Sequence, residues 1–121
     1  MSKILVADDE PHILKLVSFT LGNHDFEVVT APDGGAAVEA AETEQPDLIL
    51  LDVMMPVMNG YDAAKKIREN PKTRHIPIVM LSAKSQQREI AQGLDCGASE
   101  YICKPFTPKD LVQRVSEILG T

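Results

Sequence analysis

The stretch Leu48-Ile49-Leu50-Leu51-Asp52 contains four apolar residues without a polar interruption, followed by an acid. Two further runs, Ile4-Leu5-Val6-Ala7 and Ile78-Val79-Met80-Leu81, have the same length and character. Continuous rather than alternating apolarity predicts strands that are buried on both faces, as in a parallel sheet. Residues 26–30 and 101–103 are weaker candidates for strands.

Amphipathic stretches with helical spacing separate these runs. They follow Pro11, cover residues 36–41, begin near Asn59-Gly60, and recur at residues 90–94 and 111–119. Thr107 is placed to cap the last of them, with Pro108 at its first position. Strand and helix thus alternate about five times, which predicts an α/β fold with a doubly wound parallel sheet and helices on both faces.

Length and composition limit the classes of function. The 121 residues suit one domain, and we expect that domain to cover residues 1–121. The net charge of −6 argues against direct contact with a nucleic-acid backbone, which needs clustered Lys and Arg. No apolar stretch approaches the roughly 20 residues that span a bilayer, and the two cysteines form no CxxC or zinc pattern. We therefore expect a cytoplasmic domain that binds neither nucleic acid nor a membrane.

Polar residues close four of the five predicted strands. Asp8-Asp9-Glu10 follow the first strand, Asp52 ends the third, Ser82 ends the fourth, and Lys104 follows the fifth. In a doubly wound sheet, ligands bind beyond the carboxyl ends of the strands. We therefore expect three carboxylates, one hydroxyl and one amine to share a pocket there.

Clustered carboxylates repel one another. At about 4 Å and an effective dielectric constant of about 20, a like-charged pair costs roughly 4 kcal/mol. Such a cluster must recruit a cation, take up a proton or be loosened by water, and Mg²⁺ is favoured where phosphate also binds.

The same residue types suit phosphoryl transfer. A carboxylate can attack phosphorus to form an aspartyl phosphate, while Mg²⁺, Lys104 and Ser82 would neutralise or bond the transferred oxygens. A single aspartate at a strand end is more often a turn or helix cap. The coincidence of four such strand ends therefore carries the prediction.

The chain resembles a response-regulator receiver domain of two-component signalling from about residue 3 to residue 119. The motifs that carry the resemblance are Asp8-Asp9, Asp52, Met55-Pro56, Asn59-Gly60, Ser82-Ala83 and Lys104-Pro105-Phe106. The resemblance implies a five-stranded parallel sheet in the flavodoxin-like order 2-1-3-4-5 with five helices.

The resemblance also implies a role for each site residue. Asp52 would be the phosphoacceptor, with Mg²⁺ as the cofactor. Asp9 and Asp52 would bind the ion directly, Asp8 would bind it through water, and the backbone carbonyl of Met54 would be a further ligand.

Three more residues would read out the phosphorylated state. Ser82 would bond a phosphoryl oxygen, Lys104 would pair with the phosphoryl group, and Tyr101 would be the aromatic switch. Met54 and Lys84 flank the expected route of the hydrolytic water and would slow the loss of phosphate.

The partners that the resemblance implies are proteins. A sensor histidine kinase or a phosphotransfer protein would supply the phosphoryl group. Phosphorylation would then change the surface of the fourth helix, fifth strand and fifth helix, for binding a downstream effector or attached output domain or for homodimerisation. No turnover of external substrates is expected beyond self-catalysed phosphorylation and dephosphorylation.

Three alternatives have specific sequence signatures. A haloacid-dehalogenase-type phosphatase has the motif Asp-x-Asp, whereas this chain has Met54 where the second aspartate would stand. A flavin-binding electron carrier needs a hydroxyl-rich loop after the first strand, where this chain has Asp8-Asp9-Glu10. A receiver that is not phosphorylated usually lacks one of the acids or the lysine, and none is missing here.

Overall fold

The computed structural model describes residues 2–53, 55–82, 100–103 and 107–120. Its strands are Lys3–Ala7 (β1), Glu27–Ala31 (β2), Leu48–Asp52 (β3), Ile78–Ser82 (β4) and Glu100–Cys103 (β5). Its helices are Pro11–Gly22 (α1), Gly34–Glu44 (α2), Gly60–Glu69 (α3) and Pro108–Leu119, which we call the last helix. The helix predicted around residues 90–94 lies outside the described residues.

The strands form one parallel sheet in the order β2-β1-β3-β4-β5. The predicted order is therefore confirmed, and β3 lies at the centre of the sheet. Within the register, Leu50 pairs with Val6 on one side and Val79 on the other. This arrangement leaves no edge of β3 exposed to solvent.

Alternate residues of β3 contribute to two different cores. Ile49 and Leu51 pack with α2 and α3, whereas Leu48 and Leu50 pack with α1 and the last helix. All five residues of β3 are buried. Burial on both faces explains why this strand is a continuous apolar run, and it confirms the prediction of a doubly wound sheet.

Side-chain caps fix where three of the helices begin. The side chain of Asp33 accepts a hydrogen bond from the N–H of Ala36 at 2.8 Å, and that of Asn59 accepts one from Asp62 at 2.9 Å. The Thr107 hydroxyl accepts from the N–H of Asp110 at 3.1 Å, as predicted from the sequence. Each cap satisfies one backbone donor that the first helical turn leaves without a partner.

Acids at the amino end of the sheet are matched by a lysine. The ammonium of Lys3 lies 3.2 Å from Glu44 and 3.6 Å from Glu27. The hydrogen bond to Glu44 is the main cause that raises the pKa of Lys3 above its ordinary value. The interaction is therefore present at neutral pH and is lost only as the pH rises through that raised pKa.

Among the described residues, no helix combines the length and apolarity that a membrane span requires.

Removing the hydroxyl cap of the last helix should lower stability. We expect Thr107→Ala to reduce the free energy of unfolding by about 1 kcal/mol, because one backbone donor loses its acceptor. Thr107→Ser keeps the hydroxyl and serves as the control, so it should stay close to the parent protein in urea unfolding. Equal losses in both variants would contradict a capping role.

Candidate functional site

Asp8 lies at the end of β1 and is fully buried. Its backbone N–H donates to the carbonyl of Ala31 at 3.1 Å, which continues the pairing with β2 for one residue beyond the strand. Its carboxylate accepts a hydrogen bond from the N–H of Glu10 at 3.0 Å. The chain therefore turns around this carboxylate before α1 begins at Pro11.

Asp52 is the last residue of β3 and is only 6% exposed. It pairs with Leu81 in the parallel register, and the next N–H, that of Val53, donates to the Leu81 carbonyl at 3.1 Å. The backbone of Asp52 is thus held in the sheet on the β4 side. Its carboxylate lies at the same edge as Asp8 because β1 and β3 are neighbouring parallel strands.

The two strand ends bring four carboxyl groups together. One carboxylate oxygen from each of Asp8, Asp9, Glu10 and Asp52 can be chosen so that all four lie within 4.8 Å of one another. Asp8 and Asp52 are buried, whereas Asp9 and Glu10 are exposed. The expected meeting of Asp8, Asp9 and Asp52 is therefore found.

Glu10 is the member of this cluster to which the sequence assigned no role. It occupies the position before Pro11, where its carbonyl accepts from the first turn of α1, and its carboxylate lies 3.3 Å from the ring of His12. The sequence signal that could have placed Glu10 in this cluster is its position two residues after Asp8. Because Glu10 lies in the turn after β1 and directly before α1, its position is fixed by both elements.

The loop from β3 to α3 follows Asp52 directly, and α3 begins against the backbone of that residue. The N–H of Gly60 donates to the carbonyl of Val53 at 2.9 Å, and a Cβ atom at Gly60 would lie 2.3 Å from the carbonyl oxygen of Asp52. Only glycine allows α3 to begin so close to the phosphoacceptor candidate. The carbonyl of Met54, a predicted ligand, lies outside the described residues.

The remaining predicted site residues are described in part. Ser82 ends β4 opposite Cys103 of β5, so its backbone reaches the same edge of the sheet as Asp52. Tyr101 pairs with Met80 in β5. The side chains of Ser82 and Tyr101, and the whole of Lys104, lie outside the described part of the chain.

The chemistry of the cluster follows from its donors. Four carboxylates offer only hard oxygen ligands, the type that Mg²⁺ and Ca²⁺ take in proteins. A buried carboxylate at a strand end is also the type of group that acts as a nucleophile toward phosphorus. The arrangement therefore fits a hard divalent cation and a phosphoryl acceptor at the same edge.

A family model described as the response regulator receiver domain matches residues 4–116. The alkaline phosphatase synthesis transcriptional regulatory protein PhoP of Bacillus subtilis is 44% identical over 117 residues, which are 97% of this chain and 48% of that protein. The phosphate regulon transcriptional regulatory protein PhoB of Escherichia coli is 41% identical over 97% of this chain and 51% of its own length. The chain thus spans about half the length of these curated relatives.

Solved structures of a chemotaxis protein and a receiver domain are also similar to this chain. The chemotaxis protein CheY4 of Vibrio cholerae superimposes with a TM-score of 0.94 at 35% identity, covering 98% of both chains. The receiver domain of a sensor histidine kinase from Pseudomonas aeruginosa, solved with a magnesium ion coordinated in its active-site cleft, has a TM-score of 0.92 at 31% identity. That likeness covers 99% of this chain and 98% of the other.

Repulsion within the cluster predicts a gain in stability when one buried charge is removed. We expect Asp52→Asn to raise the free energy of unfolding in metal-free buffer by about 1–2 kcal/mol. This is less than the ~4 kcal/mol of an isolated pair at 4 Å, because two of the four acids are exposed and screened. Urea unfolding of both proteins measures the difference.

Glu39→Gln is the matched control, since it removes one negative charge from an exposed position of α2 outside the cluster. It should change the free energy of unfolding by no more than about 0.5 kcal/mol. An Asp52→Asn protein no more stable than the parent would show that interactions already made by Asp52 offset its repulsion from the other three acids.

Proposed function

This chain belongs to the response regulator receiver domain family, whose role is to accept a phosphoryl group in two-component signalling, and on that premise we propose that Asp52 is its phosphoacceptor. One observation supports this assignment above the others. Asp52 is a buried acid and the last residue of the central strand β3, and one of its carboxylate oxygens lies within 4.8 Å of an oxygen from each of the other three acids. We propose that residues 1–121 act as one receiver unit.

The proposed reaction transfers a phosphoryl group from a phosphohistidine. A carboxylate oxygen of Asp52 attacks the phosphorus atom, and the bond from phosphorus to the imidazole nitrogen breaks with its electron pair going to that nitrogen. The ring takes up a proton from water and leaves as neutral imidazole. The backbone contacts of Asp52 with β4 and Gly60 hold the attacking group in place during this step. Fixed geometry of this kind is a large part of catalysis in phosphoryl transfer.

The proposed cofactor is Mg²⁺, and the cluster fits it because every donor is a carboxylate oxygen. Asp9 and Asp52 would bind the ion directly, Asp8 would act through water, and the Met54 carbonyl would complete the protein ligands. When bound, Mg²⁺ supplies positive charge against the phosphoryl oxygens. The N–H of Glu10, which donates to Asp8, would keep that acid turned toward the site.

The roles proposed for Ser82 and Lys104 are to bond and neutralise the phosphoryl oxygens, with Tyr101 as the switch. The support is the family membership together with the backbone position of Ser82 at the site edge. Two charge-assisted hydrogen bonds contribute roughly 1.5–3 kcal/mol each. Driving a two-state equilibrium from mostly off to mostly on needs about 5.5 kcal/mol, so both bonds would be required.

The partners proposed are a sensor histidine kinase or phosphotransfer protein upstream and an effector or attached output domain downstream. The two curated relatives described above are named as transcriptional regulators, and this chain matches about half of each. Contact with nucleic acid by the receiver itself is not proposed, because its net charge is −6.

Self-catalysed phosphorylation and dephosphorylation would be its only chemistry. A cytoplasmic location is proposed because the cysteines show no disulfide or zinc pattern.

Incubation with acetyl phosphate and Mg²⁺ tests the phosphoacceptor directly. We expect the intact mass to increase by one phosphoryl group, and the modification to be removed by hydroxylamine because it is an acyl phosphate. Asp52→Asn should show no increase, and excess EDTA should prevent it in the parent protein.

Asp62→Asn provides the control, since Asp62 is an exposed acid in the first turn of α3 and does not belong to the cluster. It should be modified like the parent protein. Persistent modification of Asp52→Asn, with the same lability to hydroxylamine, would assign the phosphoacceptor role to another acid.

The surface of β5 and the last helix is the proposed site of dimerisation. An ion pair between Glu100 and Arg114 joins the two elements, and both side chains are partly exposed. We expect analytical ultracentrifugation to show a larger mass with Mg²⁺ and beryllofluoride, a mimic of the phosphoryl group, than with Mg²⁺ alone. Asp52→Asn should stay unchanged by the mimic. An unchanged mass for the parent protein would count against phosphorylation-driven dimerisation.

A further inference from the structure

The first turn of α2 lies directly against the loop from β3 to α3. A Cβ atom built at Gly34 would lie 2.1 Å from the carbonyl oxygen of Met58 and 2.8 Å from its carbonyl carbon. It would also lie 2.9 Å from the Met58 Cβ atom. Since these are backbone atoms and a Cβ, a rotamer change cannot relieve the overlap. Residue 34 therefore has room only for glycine as long as the loop stays where it is.

The same loop is held at its other end by α3. The N–H of Gly60 donates to the carbonyl of Val53, and the backbone of Gly60 lies against the carbonyl of Asp52. Met58 and Gly60 are separated by Asn59 alone, whose side chain caps α3. A displacement of the Met58 carbonyl would therefore move Asn59 and Gly60, and Gly60 lies against the backbone of Asp52.

The loop between these contacts has a strained backbone. Val57 has φ of 68°, and the N–H of Met58 donates to the carbonyl of Pro56 at 2.7 Å, two residues back. A three-residue turn with positive φ is rare, and a β-branched residue is poorly suited to it. Val57 as a whole is 89% exposed, so little packing offsets the strain.

Strained conformations of this kind persist only where the surroundings hold them. In the described part of the loop, close backbone contacts with α2 and α3 are found at Gly34 and Gly60. The contact at Gly60 belongs to the site itself. The contact at Gly34 comes from a helix that contributes no acid to the cluster.

We propose that Gly34 is a positioning residue for phosphoryl transfer. By allowing α2 to approach the Met58 carbonyl, it fixes the strained loop and, through Asn59 and Gly60, the backbone of Asp52. This inference rests on the proposed role of Asp52 as the phosphoacceptor.

The neighbouring glycine offers a matched control. A Cβ atom at Gly35 would meet the Asp33 carboxylate at 3.4 Å and a methyl of Val57 at 3.8 Å, both ordinary contacts. Alanine is the better helix former at both positions, so Gly34→Ala and Gly35→Ala change the helix propensity in the same direction. They differ in whether the loop must move.

The test compares initial rates of phosphorylation by acetyl phosphate at saturating Mg²⁺, normalised to the folded fraction measured by circular dichroism. Gly34→Ala should react at least about tenfold more slowly than the parent, because a displacement of ~1 Å can cost up to ~10²-fold in rate. Mg²⁺ affinity, followed by titration of the same proteins, should weaken in Gly34→Ala. Gly35→Ala should match the parent in both measurements.

A second pair of variants covers the case in which Gly34→Ala does not fold. Val57→Gly removes the strain at residue 57 and leaves the loop in place, so its rate should stay close to that of the parent. In Gly34→Ala/Val57→Gly the loop can move away from the new methyl group, which should restore folding but not the rate. A double variant as fast as Val57→Gly would overturn the proposal.

The remaining outcomes separate this proposal from the one on which it rests. If the parent protein is not phosphorylated on Asp52, the proposed function fails and the positioning role falls with it. If the parent reacts and folded Gly34→Ala reacts at the same rate, only the positioning role is overturned. Equal losses in Gly34→Ala and Gly35→Ala would also overturn it, since the helix rather than the loop contact would then be responsible.

Discussion

The structure depends on a strand that is buried along its whole length and ends in a charge. The residues of β3 are covered by helices on both faces and by β1 and β4 at both sides. Burial stabilises the four apolar residues, at about 25 cal/mol per Å² of apolar surface removed from water. The same burial works against the carboxylate of Asp52, which remains only 6% exposed. The apolar run thus determines both the position of the acid and the difficulty of leaving it without a counter-charge.

The sheet separates two electrostatic environments. At the amino end, Lys3 lies between Glu27 and Glu44, so the acids there have a cation within reach. At the carboxyl end, Asp8, Asp9, Glu10 and Asp52 crowd together. Clustered carboxylates at one edge of a sheet are the type of ligand set that a hard divalent cation takes, which agrees with the receiver-family membership of the chain.

Much of the fold and part of the site could be predicted from sequence because both depend on short patterns. Continuous apolar runs predict strands that are buried on both faces, and parallel strands bring their last residues to one edge. The second strand was placed one residue early, at 26–30 rather than Glu27–Ala31. Phe26 is apolar like a strand residue, but its N–H donates to the carbonyl of Leu21 and closes the turn after α1.

The features that the sequence did not reveal depend on contacts between distant segments. The approach of Gly34 to Met58 joins residues that are 24 positions apart, and a glycine after an aspartate looks the same whether or not a loop lies against it. The positive φ of Val57 contradicts the preference of a β-branched residue. Local propensity fails at such a position because tertiary contacts decide the backbone conformation.

The division of the interior into two cores has a consequence for how the sequence of this domain can evolve. Side chains that pack with α2 and α3 form one cluster, and those that pack with α1 and the last helix form another, with the sheet between them. Substitutions that share no contacts have nearly additive effects on stability. Each face can therefore acquire a different set of surface residues without repacking the other, while the acidic edge that both faces share is left unaltered. A domain built in this way can diverge in the partner proteins that it binds while keeping the acidic site unchanged.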